Sequence, residues 1–184
     1  MRTQLFPRRA AAVLCLAALP LLFAPLGCKR SKKVQVKATE EEPARMASMI
    51  HTSDPRTAGQ LVSGFYDVEQ NAWRWAQKKF SVLLRPPIGA AQRGATLNLK
   101  FTIPDVVIEK LKSLTISAMV NGSALPPQTF SKPGEYTYSG DVAPNLLTGD
   151  TVRVDFALDK AIAPSDADQR ELGIVVLSAG LELK

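Results

Sequence analysis

The chain has 184 residues, of which 46% are hydrophobic and 22% are charged. This length fits one domain of ordinary size, and the composition excludes a wholly disordered chain. Two cysteines are too few for a framework of disulfides, and one histidine is too few for most metal sites. We therefore predict neither a bound metal nor a cofactor.

The net charge of +6 is concentrated near the N-terminus. Nine of the 23 basic residues precede Ser53 but only three of the 17 acidic ones do, so the remaining 14 of each balance. A protein that binds nucleic acid carries its basic residues on the folded domain, where they follow the phosphates. The charge distribution therefore excludes a nucleic-acid partner and indicates targeting.

Residues 1–27 are organised like a bacterial signal peptide. Arg8 and Arg9 precede an apolar run that is short for a bilayer crossing of about 20 residues and contains two prolines. The run ends in Pro-Leu-Gly-Cys at residues 25–28, which resembles the lipobox of bacterial lipoproteins. The resemblance implies that Cys28 is acylated, becomes the mature N-terminus and anchors the chain to a membrane of the cell envelope. The alternatives are a plain secretory signal and an uncleaved hydrophobic anchor.

Residues 28–52 show no hydrophobic periodicity, and a basic run gives way to an acidic one. This composition predicts a flexible charged tether that holds a domain away from the membrane. A short helical turn over residues 44–50 is the one element expected there. The domain itself is predicted to span residues 53–184.

Apolar and polar residues alternate from Gly64 onward, as they do in half-buried strands. Asn121-Gly122 predicts a type I′ hairpin turn, and residues 105–112 keep helical spacing. Strands separated by Pro/Gly-rich turns indicate an all-β fold, an antiparallel β-sandwich with about eight strands. The predicted strands cover residues 65–68, 73–75, 79–84, 97–103, 114–120, 135–139, 152–158, 172–177 and 181–183.

Four of the twelve aromatic residues lie between Phe65 and Trp75. On a strand, Trp73 and Trp75 face one side and Arg74 faces the other. Exposed indoles would stack on sugar rings, with Tyr66 and Arg74 supplying polar contacts, so we predict ligand binding by this tryptophan cluster (Tyr66, Trp73, Arg74 and Trp75). The alternative is that both indoles pack between the sheets, because large aromatic side chains are highly buried on average.

A second polar segment precedes the last strand. Arg170 and Glu171 are predicted to form a structural ion pair that anchors a loop by charge-assisted hydrogen bonds, rather than to grip a ligand. Asp159, Asp166 and Asp168 offer oxygen ligands for calcium, but the segment lacks the spaced ligand set of a calcium loop. Aspartate is also common in turns, so no metal site is predicted here.

Three short motifs carry a family resemblance: Gly-Phe-Tyr at residues 64–66, Trp-Arg-Trp at 73–75 and Arg-Glu-Leu-Gly-Ile at 170–174. Together they resemble a module of bacterial cell-surface polysaccharide proteins, in which it often follows a glycosyltransferase or methyltransferase domain. The resemblance covers residues 64–181. It implies a jelly-roll-like sandwich of the carbohydrate-binding type and a glycan context.

No pattern in the sequence points to catalysis. His51, the single histidine, falls in the predicted tether, which excludes a Ser-His-Asp triad and a histidine general base in the domain. We therefore expect a lipid-anchored envelope protein whose domain is a non-catalytic binding module for envelope or extracellular glycan. The alternative is an assembly lipoprotein that holds an envelope protein through a sheet edge or an apolar face.

Overall fold

The computed structural model describes residues 46–184. The predicted signal peptide, the lipidation site at Cys28 and most of the predicted tether lie outside the described residues. In the described part of the chain, no helix is long and apolar enough to cross a membrane.

Within residues 46–184, ten strands form the domain, and every paired neighbour is antiparallel, which confirms the predicted fold class. The nine predicted segments correspond to seven of these strands, because residues 73–84 form one strand and residues 175–183 form another. The other three strands have only two or three residues each. Helices α1 (Ala90–Arg93) and α2 (Asp105–Leu111) are short. The strands are β1 (Met49–His51), β2 (Leu61–Glu69), β3 (Trp73–Leu84), β4 (Ala95–Ile103), β5 (Leu114–Val120), β6 (Ser123–Ala124), β7 (Gln128–Phe130), β8 (Gly134–Val142), β9 (Val152–Leu158) and β10 (Val175–Leu183).

The long strand β3 connects the two layers of a curled sheet whose order is β6-β5-β9-β3-β10-β4-β8. At its start, Trp75 pairs with Val175 of β10, in the layer that also holds β4 and β8. Residues 79–84 pair instead with β9, which lies beside β5 in the opposite layer. A single strand that takes part in both layers brings the two inner faces together.

Aromatic side chains fill the space between the layers. Phe80 of β3 stacks on Phe156 of β9 with ring centroids 5.0 Å apart, and Tyr138 of β8 meets Phe156 edge-on at 6.4 Å. Phe101 of β4 meets Phe130 of β7 edge-on at 5.2 Å. Because these pairs join β8 and β4 to the opposite layer, the curled sheet packs as a sandwich with a continuous apolar core.

The local signals at two connections are confirmed. Asn121 and Gly122 have φ of 48° and 83°, the two positive values that a type I′ turn requires, and they join β5 to β6. Helix α2 (Asp105–Leu111) follows Pro104 and buries Val107, as its helical spacing predicted. The turn and the helix are each specified by residues within their own segment, so both form as the sequence predicts.

The sheet begins before Ser53, the residue at which the sequence analysis placed the start of the domain. Residues 49–51 form β1, which pairs with β10, in place of the expected helical turn. Ile50 is fully buried, and the hydroxyl of Thr52 donates to the carbonyl of Val176 at 2.7 Å. A three-residue strand is too short to show alternation of apolar and polar residues in the sequence. Ile50, which lies near a charged segment, therefore did not predict a strand.

Candidate functional site

The four residues of the tryptophan cluster lie together on the β2–β3 ribbon. Tyr66 is on β2, and Trp73, Arg74 and Trp75 begin β3 after a tight turn in which Gln70 and Asn71 have positive φ. The registers Glu69 with Trp73 and Val68 with Arg74 bring the two strands side by side. The structure therefore brings the four residues together on one ribbon, and ligand binding by them stays a prediction.

The polar groups of the cluster are used within the protein. The Tyr66 hydroxyl accepts from the backbone N–H of Glu171 at 3.0 Å and from Gln77 Nε2 at 3.3 Å. Arg74 donates from Nε to the carbonyl of Thr52 at 2.7 Å and from Nη1 to the carbonyl of Tyr66 at 2.9 Å. These bonds tie β3 to β1 and β2, so both side chains hold the ribbon in place.

The two indoles have different surroundings. Trp75 is half-buried and packs against the hydrophobic core. Trp73 is also half-buried, but it is not among the side chains that pack against that core. Of the two indoles, only that of Trp75 therefore contributes to the hydrophobic core.

Arg170 and Glu171 both anchor their loop, but each does so with a partner other than the predicted one. Arg170 pairs through Nη1 with Glu69 at 2.7 Å and through Nη2 with Asp168 at 2.9 Å, and it lies over the Tyr66 ring at 5.4 Å. The Glu171 carboxylate accepts from the backbone N–H of Lys78 at 2.8 Å. Side chains adjacent in an extended segment point to opposite sides, which is why the predicted pair does not form.

The charge partners of Arg170 also change its titration and that of Asp168. Hydrogen bonds from the Arg170 side chain and backbone hold the pKa of Asp168 below its usual range. The same side-chain bond, with a second one to Glu69, raises the pKa of Arg170. Both shifts favour the charged form of the group.

Two of the three aspartates offered for calcium have other contacts. Asp168 pairs with Arg170, and Asp159 accepts from the backbone N–H of Thr115 at 2.7 Å. Within residues 46–184, no three His, Cys, Asp or Glu side chains come together as metal ligands would. His51 lies exposed at the end of β1.

A groove of about 600 Å³ crosses β3, β9 and β5. In these strands the core takes alternate residues such as Phe80, Phe156 and Ala118, so the residues between them face outward. Strand register sets the outward residues in rows, with Asp155 between Ser81 and Met119, and Ala157 between Lys79 and Ser117. The groove is lined by Ser63, Lys79, Ser81, Ser117, Met119, Ala124, Arg153, Asp155 and Ala157, together with the buried neighbours Phe80, Ala118, Leu125 and Phe156.

A polar network lies along the groove. The Ser81 hydroxyl donates to Asp155 Oδ1 at 2.7 Å and accepts from Arg153 Nη2 at 3.1 Å, while Arg153 Nε donates to the same carboxylate oxygen at 2.8 Å. Among the described residues, nothing in the protein bonds Asp155 Oδ2, Arg153 Nη1 or Lys79 Nζ. The network fixes the ion pair and leaves one acceptor and two cationic donors for a ligand.

Sequence reasoning missed the groove because its residues are ordinary on each strand. Serine, lysine and methionine at outward positions of a strand predict only a solvated face. They form a groove only because strand pairing brings Ser81, Asp155 and Met119 side by side from three strands that are far apart in the chain. No local pattern reports that register.

No family model matches the sequence, and no curated protein matches it. Among solved structures, the chain is similar to the CBM36-1 domain of a multidomain xylanase from the hindgut metagenome of Trinervitermes trinervoides, with 13% identity and a TM-score of 0.38 over 72% of this chain and 94% of that one. A family 35 carbohydrate binding module from Clostridium thermocellum has 11% identity and a TM-score of 0.40, covering 73% and 97% of the two chains. An acetyl xylan esterase from Butyrivibrio proteoclasticus has 10% identity and a TM-score of 0.39, covering 76% of this chain but 32% of that one. At identities and TM-scores this low, the likenesses assign neither a family nor a ligand to this chain.

Proposed function

We propose that this chain is a non-catalytic, lipid-anchored module that binds polysaccharide of the cell envelope or its surroundings. The observation that supports the proposal is the outward groove with its fixed Arg153–Asp155 pair and free hydrogen-bonding atoms. The anchor is the acylated Cys28 that the lipobox resemblance implies. The tryptophan cluster supplies Trp73 as an aromatic face at one end of β3.

The chemistry of the groove suits a sugar polymer. Sugar hydroxyls donate and accept, and both kinds of partner remain free on Asp155 and Arg153. Met119 is 43% exposed beside them and offers an apolar surface for the C–H face of a ring. A site of this kind is open along its length, as a polymer requires.

The charges of the groove select among sugars. Lys79 and Arg153 bring two positive charges against the single carboxylate of Asp155. A charged donor to a carboxylate makes a shorter and stronger hydrogen bond than a neutral pair does. We therefore expect the ligand to carry acidic groups, such as uronic acids.

The test is isothermal titration of the full acylated chain, in detergent, with a panel of neutral and acidic bacterial polysaccharides. An acidic polysaccharide should bind, and Lys79→Gln should weaken it at least about tenfold, since a charge-assisted bond contributes roughly 1.5–3 kcal/mol. Lys78→Gln is the matched control, because Lys78 is the neighbouring lysine on β3 and does not line the groove. It should leave the affinity unchanged.

Three outcomes would count against the proposal. If no polysaccharide in the panel binds, the glycan function is wrong, and capture of an envelope protein by the same chain would favour the assembly alternative. If Lys78→Gln and Lys79→Gln weaken binding equally, the groove is not the site. If Trp73→Ala abolishes binding while Lys79→Gln does not, the tryptophan cluster is the site instead.

A further inference from the structure

The edge of the domain where the described chain begins carries an unusually exposed apolar residue. Ile88 is 91% exposed, in the Pro-Pro-Ile-Gly connection between β3 and α1. The exposed fraction of every other large apolar side chain in residues 46–184 is 43% or less. Burying the side chain of so exposed an isoleucine against any apolar surface lowers the free energy of the system.

Several contacts place Ile88 beside the point where the chain arrives. The backbone N–H of Arg85 donates to the carbonyl of Ala47 at 3.0 Å, so the start of the described chain lies against the start of this connection. A methyl group built on Gly89 would lie 3.6 Å from Arg93 Nη2 and 3.9 Å from Leu183 Cδ1. We name this surface the anchor-side edge; its members are Met46, Arg85, Ile88, Arg93 and Leu183.

The charges of the anchor-side edge are compatible with a lipid surface. Arg85 and Arg93 are exposed, and Lys184 pairs with Asp141 at 2.9 Å. Asp150 lines a shallow cavity with Arg85, so the edge has a small positive balance. Two arginines beside an exposed isoleucine match the chemistry of anionic headgroups above acyl chains.

We infer that the anchor-side edge docks on the bilayer that holds the acylated Cys28, with Ile88 entering the headgroup region. This inference rests on the lipid anchor in the proposed function. Eighteen residue steps separate Cys28 from Met46 and, even fully extended, span no more than about 60 Å. Because the residues between Cys28 and Met46 keep the edge within that distance of the bilayer, the effective concentration of the edge at the bilayer is in the mM range. Even a weak contact is then populated.

Docking by this edge sets the direction of the module. Strand β3 runs from Trp73 to Leu84, and the anchor-side edge follows directly on Leu84. Twelve residues in a straight extended strand would span about 40 Å, and β3 spans less because it curls from one layer to the other. The bound state therefore presents Trp73 on the side away from the membrane, with the groove between the two ends.

The test places a tryptophan at Ile88. The full acylated chain is reconstituted in vesicles of phosphatidylethanolamine and phosphatidylglycerol that contain brominated acyl chains, which quench tryptophan at short range. Ile88→Trp should add emission that is quenched by about half, because an interfacial side chain lies roughly 5–10 Å deep. The native Trp73 and Trp75 serve as internal controls that stay unquenched.

Val106→Trp is the matched control. Val106 is 39% exposed on α2, which follows the far end of β4, and the register of Val175 with both Thr102 and Trp75 puts that end beside Trp75. If the two new tryptophans are quenched equally, or neither is quenched, the docking surface is wrong. If the chain does not float with the vesicles, the lipid anchor is wrong and the docking surface falls with it. Polysaccharide titration of the same sample reports separately on the glycan function.

Discussion

The tryptophan cluster and the groove differ in where their polar groups point. In the cluster, the side chains of Tyr66 and Arg74 form hydrogen bonds with the backbone of neighbouring segments. In the groove, Arg153 and Asp155 bond each other through one set of atoms and leave another set free. Tyr66 and Arg74 therefore hold neighbouring segments of the sandwich together, while the surface with free bonding capacity is made of common residues.

We expect the largest loss of stability from a substitution at Gly64, the first residue of the Gly-Phe-Tyr motif. It has φ of 78°, and an added Cβ would lie 2.6 Å from Phe80 Cα and overlap the carbonyl oxygen of Lys79. Gly64→Ala should lower the free energy of unfolding of residues 46–184 by about 3–4 kcal/mol, the sum of backbone strain and overpacking. Urea denaturation followed by circular dichroism measures it.

Gly59→Ala is the control for that substitution, since nothing lies within 4 Å of an added Cβ at Gly59. Its urea midpoint should stay close to that of the unchanged chain. Equal stability of the two variants would show that the glycine of the motif is not required by the close approach of β2 to β3.

A smaller effect separates the two tryptophans. Trp75→Ala should cost about 2–3 kcal/mol of unfolding free energy, because the indole packs against the core but is only half-buried. Trp73→Ala should cost less than about 1 kcal/mol, as for substitutions away from the core. Thermal denaturation of the two variants measures the difference, and the reverse order would place Trp73 in the core.

These differences explain which features of the structure the sequence alone predicts. Alternation over β4, β5 and β9 predicts the strands, and Asn121-Gly122 predicts its turn, because both signals are local. The partners of Arg170 and the rows of the groove depend on pairs such as Glu69 with Arg170, which are 101 residues apart. Contacts at such separation are set by sheet register, which a single sequence does not reveal.

The smallest expected effect concerns the loop that holds Tyr66 in place. Arg170 holds the pKa of Asp168 below its usual range through side-chain and backbone hydrogen bonds. A carboxylate with a lowered pKa stabilises the fold above its unfolded value of about 3.9, and the contribution is lost as pH falls through the lowered value. Asp168→Asn should therefore reduce the urea midpoint slightly at neutral pH, and the difference from the unchanged chain should disappear in strong acid. Asp166→Asn, in the same loop, should match the unchanged chain at both pH values; a deficit of Asp168→Asn that persists in acid would mean that the ion pair with Arg170 is not its cause.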